Sequence, residues 1–537
     1  MKYLRLALSR RYVAFSLTLA STIALLPLSF VHPLWAALFV VGVALSAVGV
    51  HDLVQTHHSI LRSYPIIAHL RFMFEDMRAE IRQYFFENDT EGVPFSRNKR
   101  AIVYQRAKGA LDKRPFGTLL DVYATAHEWL NHSMSPTDPA REPFRVTVGG
   151  PHCTKPYSAS ILNISGMSFG AISANAVRAL NIGAKKGNFA HDTGEGGVSR
   201  YHQEGGGDLV WQIGSGYFGC RAEDGGFSPS LFEMQAELEQ IRMIEIKMSQ
   251  GAKPGHGGVL PGAKVTAEIA AARGVQPGVD CVSPPRHQAF ATPLALLAFI
   301  GELRRRSGGK PIGMKLCVGH PWEFLGVCKA MLETGDAPDF IVVDGAEGGT
   351  GAAPLEFVDH MGMPLRDGLM FVHNALIGTN LRDKIRLGAS GKVTSAFDMA
   401  RLMALGADWC NAARGFMFAI GCIQAQSCHT GRCPTGVATQ DKIRQRSLVV
   451  PDKAERVYQF HHSTLEALAE VVAAAGLHHP SELKPCHLSK RVSANLVQSY
   501  DRLYHFLEPG ELIEGTVDPR FAGAWKRARA DSFSGAP

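Results

Sequence analysis

Three cysteines packed into one short stretch carry the sharpest chemical signal in this chain. Cys422, Cys428 and Cys433 stand with five and then four residues between them, and Pro434 follows the last. Soft thiolates aimed at one point by a tight loop suit an iron–sulfur cluster, and three of them with no fourth nearby suit a three-iron cuboid. Zinc is the competing metal, but it favours Cys-x-x-Cys pairs, and none is present. Three small buried thiols are the plain structural alternative.

A second group of chemically capable residues is basic. Residues 247–258 read KMSQGAKPGHGG, which sets Lys247, Gln250 and Lys253 among glycines, with Arg273 a little further on. Cations on such a loop can clamp carboxylates. Glu195, inside the run Thr193-Gly194-Glu195-Gly196-Gly197, offers a carboxylate. For each of these residues taken singly, a solvated loop charge is the simpler reading.

These residues need a frame, and the sequence supplies one. From about residue 158 the chain shows short apolar runs, most of them ending in Gly or Ser. They are Ile161–Ser168, Phe189–Gly194, Leu209–Gly214, Ile244–Ser249, Ile312–Val318, Phe340–Gly345, Ile385–Gly391 and Trp409–Gly415. Helical patterns such as Leu294–Arg306 and Ala396–Leu405 lie between several of them. Eight strand–helix units predict an α/β fold, a closed (β/α)8 TIM barrel with its chemistry at the carboxyl ends of the strands. The ends of the seventh and eighth runs, Gly388–Lys392 and Asn411–Gly415, then fall where such barrels hold a phosphate, and GAEGGTG at 345–351 adds a third flexible loop. That rim suits flavin mononucleotide, although glycines at turns explain any one loop. Gly214–Gly219 matches a dinucleotide fingerprint but is not followed by a helix-like sequence, so no nicotinamide site is expected.

The chain has 537 residues, enough for one large barrel with additions. Its formal charge of +7 is dispersed and gives no nucleic-acid footprint. Ten cysteines in a chain of this size do not make a disulfide scaffold, and their surroundings read as reduced and cytosolic.

Residues 1–53 read as a membrane anchor of two transmembrane helices. Val13–Phe30 and Leu34–Val50 are uncharged apolar runs of 18 and 17 residues. Arg5, Arg10 and Arg11 precede them, Arg62, Arg71 and Arg78 follow, and the loop between has no Lys or Arg. Positive-inside bias puts both ends, and the barrel, on the cytoplasmic side of the cell (inner) membrane. A cleaved signal peptide is the alternative, which the second run argues against. Residues 54–150 are expected to form a helical lead-in, with His69–Phe86 amphipathic along Leu70, Phe74, Met77 and Ile81. The barrel with its cysteine loop spans 151–445, and 446–537 forms a C-terminal helical cover.

The segments SGMSFGAIS (165–173), DTGEGG (192–197), IKMSQGAKPGHGG (246–258), SPPRH (283–287), DGAEGGTGAAP (344–354) and CIQAQSCHTGRCPTGVATQ (422–440) occur in that order. Together they resemble the FMN-binding synthase domain of glutamate synthase, and the whole chain resembles the short stand-alone, membrane-anchored members of that family. The resemblance implies FMN, a [3Fe–4S] cluster on Cys422, Cys428 and Cys433, and reductive amination of 2-oxoglutarate by ammonia through 2-iminoglutarate. It implies that Gln250, Lys253 and Arg273 hold the substrate carboxylates and that Glu195 is an active-site acid. FMN is expected along Ser168, Lys247, Lys315 and Gly391. Gly348, Gly349, Thr350, Arg414 and Gly415 complete that set.

His256 and Val259 stand where the large synthases usually carry an acid and a glutamine. A related amino-acid synthase or dehydrogenase with another substrate, such as an N-methylglutamate synthase, therefore stays open. So does a non-catalytic membrane-tethered electron relay or scaffold. No amidotransferase domain with an N-terminal cysteine is expected, so ammonia is expected from solution or from a separate glutaminase. Electrons are expected from a donor protein, either ferredoxin or an NAD(P)H-oxidising subunit.

Overall fold

Each of the eight apolar runs becomes a parallel strand. The computed structural model describes residue 9 and residues 11–536, excluding the side chains of Ala79 and Ala263. The barrel strands, numbered here on their own, are β1 (Leu162–Ile164), β2 (His191–Asp192), β3 (Leu209–Ile213), β4 (Ile241–Lys247), β5 (Ile312–Leu316), β6 (Phe340–Asp344), β7 (Arg386–Ser390) and β8 (Trp409–Ala412). They pair in sequence order, and β8 closes on β1, with Asn411 opposite Asn163. The (β/α)8 barrel read from the sequence is therefore the observed fold.

The strands are apolar because both faces are covered. β3 and β6 are buried at every position. Helices between the strands cover the outside, for example Ala174–Gly187, which starts on a Ser173 cap and ends at Asn188 in the left-handed region.

The chain divides into two compact units, residues 1–88 and 89–537. In the first, α1 (Val13–Leu28) and α2 (Pro33–Val54) form an apolar pair. A Cβ on Gly42 would lie 2.5 Å from Thr22 Oγ1, and Thr22 meets Ser46 at 3.3 Å, so small residues let the two helices approach closely. Only α2, with 22 residues and about 33 Å of rise, is long and apolar enough among the described residues to cross a membrane. With 16 residues, α1 is shorter than that. Arg5 and Arg10, used above for orientation, lie outside the described residues. α3 (Ala68–Asp76) follows, and after a break at Met77 the chain stays helical through Phe86.

In the second unit, α4 (Arg97–Ala107) leads into turns and short strands at Glu128–Leu130 and Arg145–Val148. The tail supplies the 25-residue helix α5 (Val450–Ala474), which packs on Ala174–Gly187 and on α4. It also supplies a hairpin, Leu488–Ser493 with Leu496–Ser499.

Candidate functional site

The carboxyl ends of β2 and β4 bring the first site residues together. Lys247, the last residue of β4, places Nζ 2.9 Å from Glu195 Oε1 and 2.6 Å from Gln250 Oε1. Burial by itself would raise the Glu195 carboxyl, but Lys247, backed by Lys253 and Arg273, holds it below the usual carboxylate range. Burial, together with repulsion from Lys247, pulls the Lys253 ammonium down, and the charge of Glu195 offsets this only in part. Arg273 closes a short helix, is 6% exposed, and lies 5.1 Å from the centre of the Phe218 ring. Its Nη2 donates to the Phe169 carbonyl at 3.4 Å, while its buried Nε has no partner.

Glu195, Gln250, Lys253 and Arg273 line one cavity of about 620 Å3 at the mouth of the barrel, a volume ordinary for a cofactor and a small substrate. Ser168, Lys247, Gly349, Thr350 and Arg414 line it too, and so does Cys428. A narrower recess below is lined by Lys315, Gly348 and Gly391. Arg414 donates to the Thr350 carbonyl at 2.9 Å and reaches within 4.0 Å of Cys428 Sγ. Gly194 is required here, and Gly349 leaves room for the Arg414 guanidinium. A Cβ on Gly349 would meet Arg414 Nε at 2.7 Å. Gly194, at φ +65°, would drive one to 2.5 Å from the Ser168 amide nitrogen. Gly415 is different: it is buried and lines neither space, and a Cβ there would come within 3.2 Å of the Phe460 ring.

Beneath the mouth lies a polar layer that the sequence reading missed. Gln212 Nε2 donates to both Asp192 Oδ2 (3.2 Å) and Glu245 Oε1 (2.6 Å). Lys315 sits 3.8 Å from Asp344 Oδ1 and 3.5 Å from Ser165 Oγ, which in turn meets Ser390 Oγ at 3.2 Å. Burial and the charge of Asp192 push the Glu245 carboxyl up to about 8. Burial opposes the charge on Lys315, but Asp344, Glu245 and Asp192 outweigh it and raise its pKa. The signal was present as polar residues interrupting otherwise apolar strands. His287 adds a support, with Nε2 3.0 Å from the Lys247 carbonyl and Nδ1 3.2 Å from the Tyr217 hydroxyl.

The cysteine loop follows β8. Cys422 and Cys433 are buried and Cys428 is half-buried. Burial raises the Cys422 thiol to about 11, with smaller contributions from Cys428 and Cys433. Cys433 is lowered despite its burial, because the backbone at Ala438, Thr435 and Val437 and the Thr435 hydroxyl bond to its sulfur. Among the described residues no three His, Cys, Asp or Glu side chains gather closely enough to ligate one metal ion. The loop is strapped from outside the barrel: the Tyr104 hydroxyl donates to the Cys422 carbonyl at 2.7 Å, and Gln424 bonds to the backbone of Phe95 in both directions.

The conserved region of glutamate synthase matches residues 147–478. The chain belongs to the glutamate synthase family. The family region takes in the eight strands, the cysteine loop and α5, and leaves out everything before residue 147. Bacillus subtilis YerD, a glutamate synthase large subunit-like protein, is 37% identical over 85% of this chain and 94% of its own length. An archaeal NADPH glutamate synthase of Methanocaldococcus jannaschii is 34% identical over 60% of each chain. The large chain of the Azospirillum brasilense NADPH enzyme is also 34% identical, but only 20% of it is matched. Solved structures with a similar course include flavocytochrome b2 with pyruvate bound (14% identical, TM-score 0.39, covering 81% of this chain and 97% of that one). A Pediococcus acidilactici lactate oxidase is 12% identical with a TM-score of 0.40, over 77% and 91%. At that level of likeness nothing about activity follows.

Proposed function

We propose that this family member is an oxidoreductase that reductively aminates 2-oxoglutarate at the barrel mouth. The net reaction joins 2-oxoglutarate, ammonia, two electrons and two protons into glutamate and water. One observation carries the reading: a single cavity is lined at once by the Glu195 carboxylate, the cations Lys253 and Arg273, the glycine-lined rim and Cys428. FMN, when bound, supplies the hydride chemistry, and a [3Fe–4S] cluster on Cys422, Cys428 and Cys433 supplies single electrons.

The chain's own residues supply position and charge. Lys253 and Arg273 clamp the two carboxylates, and Gln250, held by Lys247, orients the carbon between them. Glu195, kept ionised by Lys247, takes up or delivers a proton at the substrate nitrogen. Lys247, Lys315, Ser168, Gly348, Gly349, Thr350, Gly391 and Arg414 would hold the flavin. The unpartnered Nε of buried Arg273 and the clearance kept by Gly349 support an anionic ligand and a flat cofactor here.

In this reading α1 and α2 tether the barrel to the cytoplasmic face of a membrane. Residues 1–53 form that anchor, 54–150 a lead-in, 151–445 the catalytic barrel and 446–537 its cover. Ferredoxin or an NAD(P)H-oxidising subunit donates electrons, and a separate glutaminase or free ammonium provides nitrogen. A second reading is favoured by Val259, which lines the cavity and is 57% exposed. An apolar side chain there suits the same chemistry on a different oxo acid, or with methylamine in place of ammonia.

The test is an anaerobic spectrum with flavin and iron analysis, followed by reoxidation of the reduced protein by 2-oxoglutarate plus ammonium. Reoxidation by that pair supports the first reading, and reoxidation only by other oxo acids or amines supports the second. A colourless, iron-free protein made under iron-replete anaerobic conditions defeats both.

A further inference from the structure

The segment that follows α2 exposes more apolar surface than a stretch meeting only water should. On α3 and the turn before it, Ile67, Leu70 and Phe74 recur at helical spacing, and Phe74 is 56% exposed. At the end of the segment Tyr84, Phe85 and Phe86 are 69%, 79% and 78% exposed. Contiguous apolar exposure on this scale marks a surface that meets something other than water. Arginines at 62, 71, 78 and 82 are interleaved with these residues, and Arg71 turns to Glu75 at 2.8 Å.

A second observation fixes where this segment begins. Asp52, on the last turn of α2, is 0% exposed. Its Oδ2 accepts the Ile66 amide at 2.9 Å, and His69 Nε2 lies 2.9 Å from Oδ1. Ile66 itself sits at φ +68°, a left-handed conformation that a β-branched residue adopts only under strain. The carboxylate thus latches a sharp turn between the apolar helix and the aromatic segment, and sets their relative direction.

We infer that residues 64–86 are an interfacial segment, seated in the headgroup region of the same bilayer that α2 crosses, with the Asp52 latch as its hinge. This rests on the membrane reading of α2 proposed above. Continuity with a helix long enough to span identifies the occupant as lipid. Aromatic rings prefer the interface, and arginine stems can lie along acyl chains while their guanidinium groups reach the phosphates. Such a seat adds a second membrane contact, so that the anchor resists rotation as well as withdrawal.

The test uses the full-length protein in phosphatidylcholine nanodiscs, with the added emission of Phe85→Trp and Val43→Trp each read against the parent. Lipids are brominated either near the headgroup or near the acyl-chain end. The expected result is that Trp at 85 is quenched about twofold more by the shallow bromines, while Trp at 43, midway along α2, is quenched more by the deep ones. If Trp at 43 behaves so but Trp at 85 is quenched only by aqueous iodide, or by neither agent, the interfacial seat is overturned and the span stands. If neither site responds to brominated lipid, the membrane reading fails and takes the inference with it. Phe85 is 79% exposed, so the substitution should leave the fold intact.

Discussion

The two ends of the barrel are both rich in charge, yet they use it differently. At the amino end, acids just ahead of the strands are paired with arginines and cap backbone amides. Asp339 binds Arg304 at 3.0 Å and accepts the amides of Gly150 and Ile312. Asp408 binds Arg382 at 2.9 Å and accepts the Leu387 amide. At the carboxyl end, Lys253 makes no side-chain hydrogen bond among the described residues, Arg273 keeps an orphaned Nε, and the glycines hold a cavity open. Charge at the foot is consumed by the fold, whereas charge at the mouth is left over for a ligand. The same residue types can thus be sorted into structural and chemical ones by counting their satisfied partners.

The sharpest way to break that comparison is at Glu195. Glu195→Gln should lower turnover by on the order of 10³-fold, the scale of a lost general acid–base group. Thermal stability should change little, as steady-state kinetics and calorimetry would show; near-normal turnover would leave the mouth without an acid. Arg304→Ala should do the reverse. It strands the buried Asp339 carboxylate and should cost about 3–5 kcal/mol in denaturant unfolding. Turnover at a temperature where the variant is folded should stay within about twofold of the parent, because Arg304 touches nothing at the mouth. Lys253→Ala should lose about 10²-fold in turnover with flavin content unchanged, because a slack clamp spoils orientation without emptying the site. Normal 2-oxoglutarate kinetics in that variant would remove Lys253 from the clamp.

A pH-dependent effect sharpens the contrast inside the barrel. Glu245 is raised from an ordinary carboxyl value to about 8, so the folded chain holds a proton there that the unfolded chain releases. Its contribution to stability is fully present below about pH 4.5 and is lost as pH rises towards 8. Glu245→Gln keeps an acceptor for Gln212 but cannot ionise. Its melting temperature relative to the parent should therefore climb across that window. A flat difference would mean that the carboxyl titrates normally.

The fold was legible because each strand carries its own local signature. Most of the apolar runs from Ile161 to Gly415 end in Ser or Gly, and every one proved to be a strand. The mouth residues Glu195, Gln250, Lys253 and Arg273 were legible because loops tolerate charge only where something uses it or water covers it. The layer of Asp192, Gln212, Glu245 and Asp344 was not, because its members are scattered over four strands far apart in the sequence. Only closure of the sheet, with Gln212 opposite Glu245, brings them into contact. Gly415 shows the opposite error: it shares a motif with Arg414, but its neighbour is Phe460, on a helix 45 residues later in the sequence.

The strap on the cysteine loop bears on where this protein can be shortened. Phe95 and Tyr104 precede the family's conserved region, yet they hold Cys422 and Gln424 from the side. A version trimmed to begin near residue 147 would keep all eight strands and still release the sulfur-bearing turn. Removing the greasy leader for crystallisation or spectroscopy should therefore cut close to Asp89, where the second compact unit starts.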